Sequence, residues 1–160
     1  MFLKSKVIKY GDDINTDVIY PGRYLEITEP EEMAKHAMED LDENFHEKVR
    51  EAKIIVAGKN FGCGSSREQA ATCLKYAGID AIIAISFARI FFRNAINKGI
   101  VAIECKDAYK IEEGDEIEID VEGGKIKNIS KGEVYHVKPL PPFLLNIIKA
   151  GGLIEYMVRK

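Results

Sequence analysis

The sequence is poor in cysteine and histidine, and this shortage excludes several kinds of metal and catalytic site. Cys63, Cys73 and Cys105 match neither a zinc-binding spacing nor a local iron–sulfur ligand run. The three histidines are likewise not spaced for a catalytic triad or a metal site. An odd and sparse set of cysteines indicates reduced thiols. We therefore expect no metal site on this chain.

The sequence also lacks a basic stripe and a long apolar run. Its formal net charge of -3 comes from interspersed Lys and Glu, so nucleic acid is not an expected partner. No stretch approaches the roughly 20 apolar residues that a membrane helix requires, and the first residues begin a strand-like pattern instead of a signal peptide. With 160 residues and 46% hydrophobic content, we expect one cytoplasmic domain, residues 1–160, with no membrane partner.

The middle of the chain contains a repeat of apolar strands and helices. Strand patterns at residues 53–57, 81–85 and 101–105 alternate with helix patterns at residues 68–77 and 87–98. Near-continuous apolar strands between helices of this length predict a buried parallel sheet with right-handed crossovers. In such a sheet, we expect ligands to bind beyond the carboxyl ends of the strands.

The flanking segments predict strands of a different kind. Residues 2–10 alternate as a strand, residues 116–121 and 125–129 flank a Gly-Gly turn as a hairpin, and residues 133–137 predict one more strand. Strands of both kinds around an α/β centre predict an α/β fold, a β/β/α domain with a mixed, partly parallel sheet.

The segment between the first strand and the α/β centre predicts turns and short helices. Residues 11–17 predict a polar turn, and residues 18–20 predict a short extended run. Thr28, followed by proline and acidic residues, predicts a helix that runs to about Asp40. Residues 42–50 predict another short turn of helix.

The most informative segment is the glycine-rich turn between the first apolar strand and the following helix, Gly58-Lys59-Asn60-Phe61-Gly62-Cys63-Gly64-Ser65-Ser66-Arg67. Three glycines let this turn bring backbone close to a ligand. Unpaired amides and the helix dipole at the helix start attract negative charge. Together with two hydroxyls and a guanidinium, they predict a carboxylate or phosphate pocket that carries its own hydroxyl chemistry.

The glycine-rich turn also matches simpler or more common patterns in part. Ser66 followed by Gln69 could be only a capping box that starts the helix. A dinucleotide fingerprint would need a third glycine where Arg67 stands, and a Walker loop would need Gly-Lys before its serine, where the chain has Cys63-Gly64. The usual kinds of phosphate cradle are therefore disfavoured.

Three ordered motifs resemble the swivelling domain of the aconitase superfamily. They are Asp13-Ile14-Asn15-Thr16-Asp17, Gly62-Cys63-Gly64-Ser65-Ser66-Arg67-Glu68, and Ser86-Phe87-Ala88-Arg89-Ile90 with Asn94 following. Over nearly its full length, the chain is similar to the family of separate small subunits that includes those of 3-isopropylmalate dehydratase and of archaeal-type homoaconitase. The resemblance implies an aconitase-type swivelling domain.

The resemblance also implies an activity and a partner. The expected reaction is a dehydration and rehydration that moves a hydroxyl between adjacent carbons of a malate-type acid, here the interconversion of 2- and 3-isopropylmalate in leucine biosynthesis. The expected partner is a large subunit that carries a four-iron iron–sulfur cluster, and this hydro-lyase subunit should be inactive alone and bind no cofactor itself. Homoaconitase, 2,3-dimethylmalate dehydratase and a non-catalytic carboxylate-binding module are the alternatives.

The resemblance assigns roles to five residues near the turn. Ser65 matches the catalytic serine, whose alkoxide removes the proton beside a carboxylate. Ser66 matches a substrate-carboxylate ligand, and Arg67 can grip a carboxylate through two parallel hydrogen bonds. Asp17 corresponds to an orienting aspartate, while Thr16 supports the same turn. Arg67 could instead pair with Glu68 or Asp17, and both Asp17 and Thr16 could be simple turn residues.

The resemblance also identifies residues 22–28 as the substrate-selecting loop, with candidate specificity residues Arg23, Tyr24, Leu25, Glu26 and Ile27. Homoaconitase-type chains carry arginine where Glu26 stands, and an anion there would repel a third carboxylate. Tyr24 and Ile27 could line an apolar pocket for an isopropyl or methyl group. Arg23 could alternatively supply the missing positive charge.

Overall fold

The computed structural model describes residues 1–159, which contain one seven-stranded mixed sheet. Its strands are β1 (Phe2–Lys9), β2 (Ile54–Ala57), β3 (Ala81–Ala84), β4 (Val101–Glu104), β5 (Glu116–Asp120), β6 (Lys125–Asn128) and β7 (Glu133–His136). They lie in the order β4-β3-β2-β1-β5-β6-β7. Strands β1 to β4 are parallel, whereas β1 and β5, β5 and β6, and β6 and β7 pair antiparallel.

The described residues, 1–159, also contain seven α-helices. They are α1 (Thr16–Ile19), α2 (Pro30–Ala34), α3 (Phe45–Lys48), α4 (Glu68–Ala77), α5 (Arg89–Asn97), α6 (Pro142–Ala150) and α7 (Leu153–Val158). Short 3-10 helices occur at Gly22–Tyr24 and Ala108–Lys110. Within residues 1–159, no helix is long and apolar enough to cross a membrane.

The two halves of the sheet differ in burial, as their sequence patterns predict. Every residue of β2 and β3 is buried, because these strands lie inside the parallel half with packed elements on both faces. In β5, Ile117 and Ile119 are fully buried while the alternating acidic residues are partly exposed. Strand β1 joins the halves, since Val7 pairs with Ile54 of β2 and Ser5 pairs with Ile117 of β5. The predicted mixed sheet is confirmed.

Three loops leave the carboxyl ends of β1, β2 and β3 and continue to pair with one another. Isolated bridges join Asn15 to Cys63 and Phe61 to Phe87. The Gly62 amide donates to the carbonyl of Ile14 at 2.7 Å, and the Phe61 amide donates to the carbonyl of Ser86 at 3.0 Å. The ladder therefore extends beyond the strands and holds the three loops side by side at the expected binding edge of the sheet.

Two predictions between β1 and β2 are wrong. Residues 18–20 are not an extended run, because Asn15 caps α1 by accepting a 2.9 Å hydrogen bond from the Val18 amide. The helix predicted from Thr28 to about Asp40 begins at Pro30 after the extended Glu29 and ends at Ala34. Met38 adopts a left-handed φ of 58°, and its amide donates to the Ile19 carbonyl at 2.9 Å, so a helix cannot continue through it.

The other boundaries differ from prediction by small amounts. Residues 42–50 contain only the single turn α3. Helix α5 begins at Arg89, two residues later than predicted, because Phe87 and Ala88 still belong to the loop that pairs with Phe61. Helix α4 occupies the predicted residues, and its C-cap is Gly78, which has a φ of 115° that glycine adopts without strain.

Candidate active site

The turn that joins β2 to α4 presents its two serines to solvent. Ser65 and Ser66 are exposed, whereas Phe61 and Gly62 at the start of the turn are buried. The amide of Thr16 donates to the carbonyl of Cys63 at 2.8 Å, which fixes the turn against the loop after β1. The turn is therefore held by its backbone while its hydroxyl side chains stay open.

Thr16 is the residue that contacts Ser65 most directly. Its side chain is buried at 2% exposure, and its hydroxyl donates to the Ser65 carbonyl at 2.9 Å. The same oxygen lies 3.1 Å from the Ser65 hydroxyl oxygen. A threonine hydroxyl has one proton and two lone pairs, so while Thr16 donates to the carbonyl it can accept the Ser65 proton. The two hydroxyls form one hydrogen-bonded unit.

Two glycines of the turn have positive φ but different surroundings. Gly62 has a φ of 83°, and a Cβ there would lie 2.2 Å from the ring of Phe91. Gly64 has a φ of 96°, and the nearest atom to its added Cβ would be the Thr16 hydroxyl oxygen at 3.4 Å. Gly62 is thus required by both packing and backbone conformation, and Gly64 mainly by backbone conformation.

Arg67 lies between α1 and the start of the loop at residues 22–28. Its guanidinium forms an ion pair with Asp17 and donates a 3.2 Å hydrogen bond to the carbonyl of Tyr20. The Arg67 side chain is 19% exposed and that of Asp17 is 65% exposed. In this chain the alternative pairing of Arg67 with Asp17 is formed, and it leaves the guanidinium at the edge of the turn.

The capping-box explanation of Ser66 is wrong. Arg67, with extended backbone angles, is the N-cap of α4, and no side chain caps this helix. The Ser66 hydroxyl is exposed and does not satisfy the helix amides. The first turn of α4 consequently keeps amides without a side-chain cap next to Ser66 and Arg67.

The loop predicted to select the substrate, residues 22–28, starts as the 3-10 helix Gly22–Tyr24. Arg23 makes ion pairs with Glu39 and Asp40, at 2.6 and 2.7 Å, instead of pointing to the turn as a free cation. Glu26 is exposed, in keeping with an anion that faces solvent. Leu25 and Ile27 line a groove of about 360 Å³ together with residues of the first turns of α4.

A larger groove of about 730 Å³ lies where α4, α5 and α7 meet, and Asn94 is among its lining residues. Ser65 lines neither of these two grooves. Arg89 at the start of α5 is exposed. Ser65, which is exposed, therefore lies outside both grooves.

The cysteines of the chain do not form a metal site. Cys73 and Cys105 are buried in the core and Cys63 is partly exposed, and all three are free thiols. Burial raises the pKa of both the Cys73 and the Cys105 thiol. Among residues 1–159, no three His, Cys, Asp or Glu side chains are grouped to hold a metal ion. The residues described here do not fit an iron–sulfur cluster.

Sequence reasoning missed Glu39 and Asp40, the partners of Arg23. It placed both in or after a helix and gave them no role. An acidic pair at positions 39 and 40 carries no signal of a contact with residue 23, because that contact depends on the turns that follow α2. Asn15, the helix cap that orients Thr16 and Asp17, has a signal, since asparagine before a short polar helix is a common cap.

Comparison with known proteins identifies the class to which this fold and site belong. The family model of the aconitase C-terminal domain matches residues 6–108, which include all three motifs described above. The chain belongs to the aconitase C-terminal domain family, and the predicted resemblance is confirmed.

The individual relatives belong to one particular enzyme of this family. The 3-isopropylmalate dehydratase small subunit of Caldicellulosiruptor bescii is 55% identical over 158 residues, which are 98% of this chain and 95% of that protein. Small subunit 1 of the same enzyme from Archaeoglobus fulgidus is 57% identical over 148 residues, 92% of each chain. The crystal structure of 3-isopropylmalate dehydratase (LeuD) from Methanocaldococcus jannaschii matches with a TM-score of 0.93 and 47% identity, covering 99% of this chain and 95% of that one.

Proposed function

We propose that this chain is the small subunit of a 3-isopropylmalate dehydratase, a hydro-lyase that interconverts 2- and 3-isopropylmalate by dehydration and rehydration in leucine biosynthesis. The observation that carries the proposal is its 55% identity, over 98% of its length, to a small subunit of that enzyme. The exposed serine turn at the carboxyl ends of the parallel strands gives this proposal a chemical basis.

In this proposal Ser65 is the base that takes the proton from the carbon beside a substrate carboxylate. A serine hydroxyl is a weak acid, so its anion has to be stabilised by donors already in place. Thr16 is one such donor, because its hydroxyl can rotate from the Ser65 carbonyl, 2.9 Å away, to the Ser65 side-chain oxygen, 3.1 Å away. The uncapped first turn of α4 adds amides and a favourable dipole.

Ser66 and Arg67 bind the substrate carboxylate in this proposal. A guanidinium can hold a carboxylate through two parallel hydrogen bonds, and that of Arg67 is already paired with the carboxylate of Asp17. Asp17 is well exposed, so an incoming acid can take over part of this pairing while Asp17 keeps Arg67 oriented. The Tyr20 carbonyl holds the guanidinium from the other side.

The loop favours an acid with an alkyl group over one with a third carboxylate. Arg23 is the only basic residue in the sequence from 22 to 28, and its charge is already neutralised by Glu39 and Asp40. Leu25 and Ile27, with Met33, give the neighbouring groove an apolar part, and its one lysine, Lys98, is already paired with Glu68. Both features support isopropylmalate over homocitrate, since Glu26 adds repulsion for a further anion.

The proposal includes a partner, a compartment and a domain assignment. A large subunit with a four-iron cluster would close over the open side of the Ser65 turn and supply the groups that this chain lacks. Three free thiols fit the reducing environment of the cytoplasm. One sheet that runs through all seven strands supports a single domain over residues 1–160.

The decisive experiment is an assay of the purified complex with its large subunit. We expect turnover of 2- and 3-isopropylmalate, with little or none of homocitrate and 2,3-dimethylmalate, and no turnover by the small subunit alone. A complex that leaves isopropylmalate unchanged but converts one of the other two acids would overturn the assignment and identify the alternative.

A further inference from the structure

A cluster of five side chains joins the substrate-selecting loop to the turns after α2. We call it the loop anchor, and its members are Arg23, Tyr24, His36, Glu39 and Asp40. Glu39 is at its centre: one carboxylate oxygen accepts hydrogen bonds from Arg23 Nη2 and Tyr24 Oη, both at 2.6 Å. Its other oxygen lies 3.1 Å from His36 Nδ1. Asp40 binds the Arg23 guanidinium through two further bonds of 2.7 and 2.9 Å.

The ring of Tyr24 is fixed by stacking as well as by its hydroxyl. The imidazole of His36 stacks on it with a centroid distance of 3.7 Å and an interplanar angle of 15°. The guanidinium carbon of Arg23 lies 4.8 Å from the same ring centroid. The fully buried Tyr20 donates its hydroxyl to the Tyr24 carbonyl at 2.7 Å. Ring and backbone of Tyr24 are thus held by separate contacts.

The charged groups of the anchor stabilise one another in their ionised forms. Hydrogen bonds from Tyr24 and His36 lower the pKa of Glu39, and the Arg23 guanidinium lowers the pKa of Asp40. Hydrogen bonds to Asp40, Tyr24 and Glu39 raise the pKa of Arg23 above its usual range. The ion pairs are solvent-exposed, so each contributes little alone, and the cluster acts through the number of its connected contacts.

The anchor contacts only the first half of the loop. Arg23 and Tyr24 are bound by it, while Leu25, Glu26 and Ile27 follow without a place in the cluster. The amides of Leu25 and Ile27 donate to Gly22 and Tyr24, at 3.2 and 3.1 Å, so the second half of the loop takes its position from the anchored half. Leu25 and Ile27 are the loop residues that line the groove beside α4.

We propose that Glu39 is a positioning residue for substrate selection: it holds Arg23 and Tyr24 so that Leu25 and Ile27 face the first turns of α4. Glu39 itself does not contact the substrate. The proposal rests on the proposed function, because it assigns the groove to the alkyl side of the acid. It also explains why Arg23 is not available as a counter-charge for a third carboxylate.

The test uses Glu39→Ala and Glu39→Gln in the complex with the large subunit. Glu32→Ala is the matched control, because Glu32 is an exposed acid of α2 that pairs with Lys35 outside the anchor. For Glu39→Ala we expect KM for isopropylmalate to rise about 5- to 10-fold with kcat changed less than about 2-fold, since positioning for binding is lost and the reacting groups are not. Glu39→Gln should have a smaller effect, because it still accepts the Tyr24 hydrogen bond.

A second measurement does not depend on activity. Amide hydrogen exchange of the small subunit alone should be about 5- to 10-fold faster at Leu25 and Ile27 in Glu39→Ala than in the wild type or in Glu32→Ala, because local opening becomes easier. Arg23→Ala should accelerate exchange less in the Glu39→Ala background than in the wild type, since the Arg23–Glu39 contact is already lost there and only the contact with Asp40 remains to be removed. The urea midpoint of each variant establishes that it is folded, and Glu39→Gln replaces Glu39→Ala if the latter is not.

The outcomes separate this proposal from the proposed function. Equal exchange rates in Glu39→Ala and Glu32→Ala would overturn the anchor, whether or not the complex is active. Faster exchange with an unchanged KM would overturn the role in substrate selection. A wild-type complex that does not convert isopropylmalate would refute the proposed function, and the exchange comparison would still decide whether Glu39 holds the loop.

Discussion

The serine turn, residues 58–67, and the loop at residues 22–28 lie next to each other, but different contacts hold them. The turn is fixed by backbone hydrogen bonds, from Gly62 to Ile14 and from Thr16 to Cys63, that extend the sheet past its strands. The loop has no strand partner, and it is held by side chains centred on Glu39 and by the hydroxyl of the buried Tyr20, which donates to the Tyr24 carbonyl. They meet where the Arg67 guanidinium lies against Gly22, whose added Cβ would be 3.2 Å from Nη2.

This difference bears on how an enzyme can keep a reaction and change its substrate. Backbone hydrogen bonds do not depend on side-chain identity, so the position of Ser65 is insensitive to most substitutions around it. The loop depends on a few exposed side chains, so a small number of changes in residues 23–27 or 36–40 can move it. The predictions below test whether the two regions are as separate as their contacts indicate.

The largest effect should come from Ser65→Ala in the reconstituted complex. Substrate should still bind, while kcat falls by about 10²-fold or more, because a positioned base is lost. Ser66→Ala is the matched neighbour and should act mainly on KM, since Ser66 is proposed to bind a carboxylate. Kinetics together with a direct binding measurement distinguish the two. Unchanged turnover in Ser65→Ala would remove this residue from the mechanism.

Next in size is the effect of Gly62→Ala on stability. A Cβ 2.2 Å from the Phe91 ring, at a φ of 83°, should cost about 2 to 3 kcal/mol of the free energy of unfolding through overpacking and backbone strain. Gly64→Ala should cost only about 1 kcal/mol, because its φ is similar but its nearest contact is 3.4 Å. Urea denaturation measures both. Equal losses would show that packing under the turn does not hold it in place.

A smaller effect is expected for Thr16→Val, which keeps the shape of a buried residue and removes its hydroxyl. The Ser65 carbonyl would lose its donor, at a cost of about 1 to 2 kcal/mol in unfolding free energy. In the complex, kcat should fall about 10-fold because the Ser65 anion loses a donor. Thr16→Ser retains the hydroxyl and should stay within about 3-fold of the wild type. A Val variant with normal kcat would separate Thr16 from the chemistry.

The smallest perturbation is labelling of the native chain with a thiol reagent. Cys63 is partly exposed on the turn, whereas Cys73 is fully buried and its raised pKa keeps it protonated. Cys105 is also buried, with its pKa raised by the same cause. Mass spectrometry should therefore find one label at neutral pH and three after unfolding. The label on the native chain should be absent in Cys63→Ser. Labelling of Cys73 before unfolding would mean that α4 separates readily from the segment around Ile19, whose carbonyl Cys73 contacts.

The sequence predicts the parallel centre of the fold well because its signals are local. The apolar runs at residues 54–57 and 81–84 are too short and too continuous for anything but buried strands between helices, and the glycine-rich turn marks the helix start at Glu68. The serine turn is predictable for the same reason. Its glycines, hydroxyls and arginine stand together in the chain.

Features that depend on distant contacts were not predictable. Val18 and Ile19 favour a strand by residue type, but the Asn15 cap and the Met38 amide, which bonds to the Ile19 carbonyl, make that segment a helix. The partners of Arg23 stand 16 and 17 positions away, and the hydroxyl pair of Thr16 and Ser65 spans 49. Such contacts exist only once the loops have been brought together.

The central place of β1 in the sheet has a consequence for how the chain is made. This strand is synthesised first among the seven, yet its parallel neighbour starts at Ile54 and its antiparallel neighbour at Glu116. Both edges of β1 therefore stay unpaired when it leaves the ribosome, and the second edge can pair only after most of the polypeptide has been synthesised. The apolar residues of β1 are interrupted by Lys4, Lys6 and Lys9. Such charges disfavour pairing of this unpaired strand with a strand of another nascent chain.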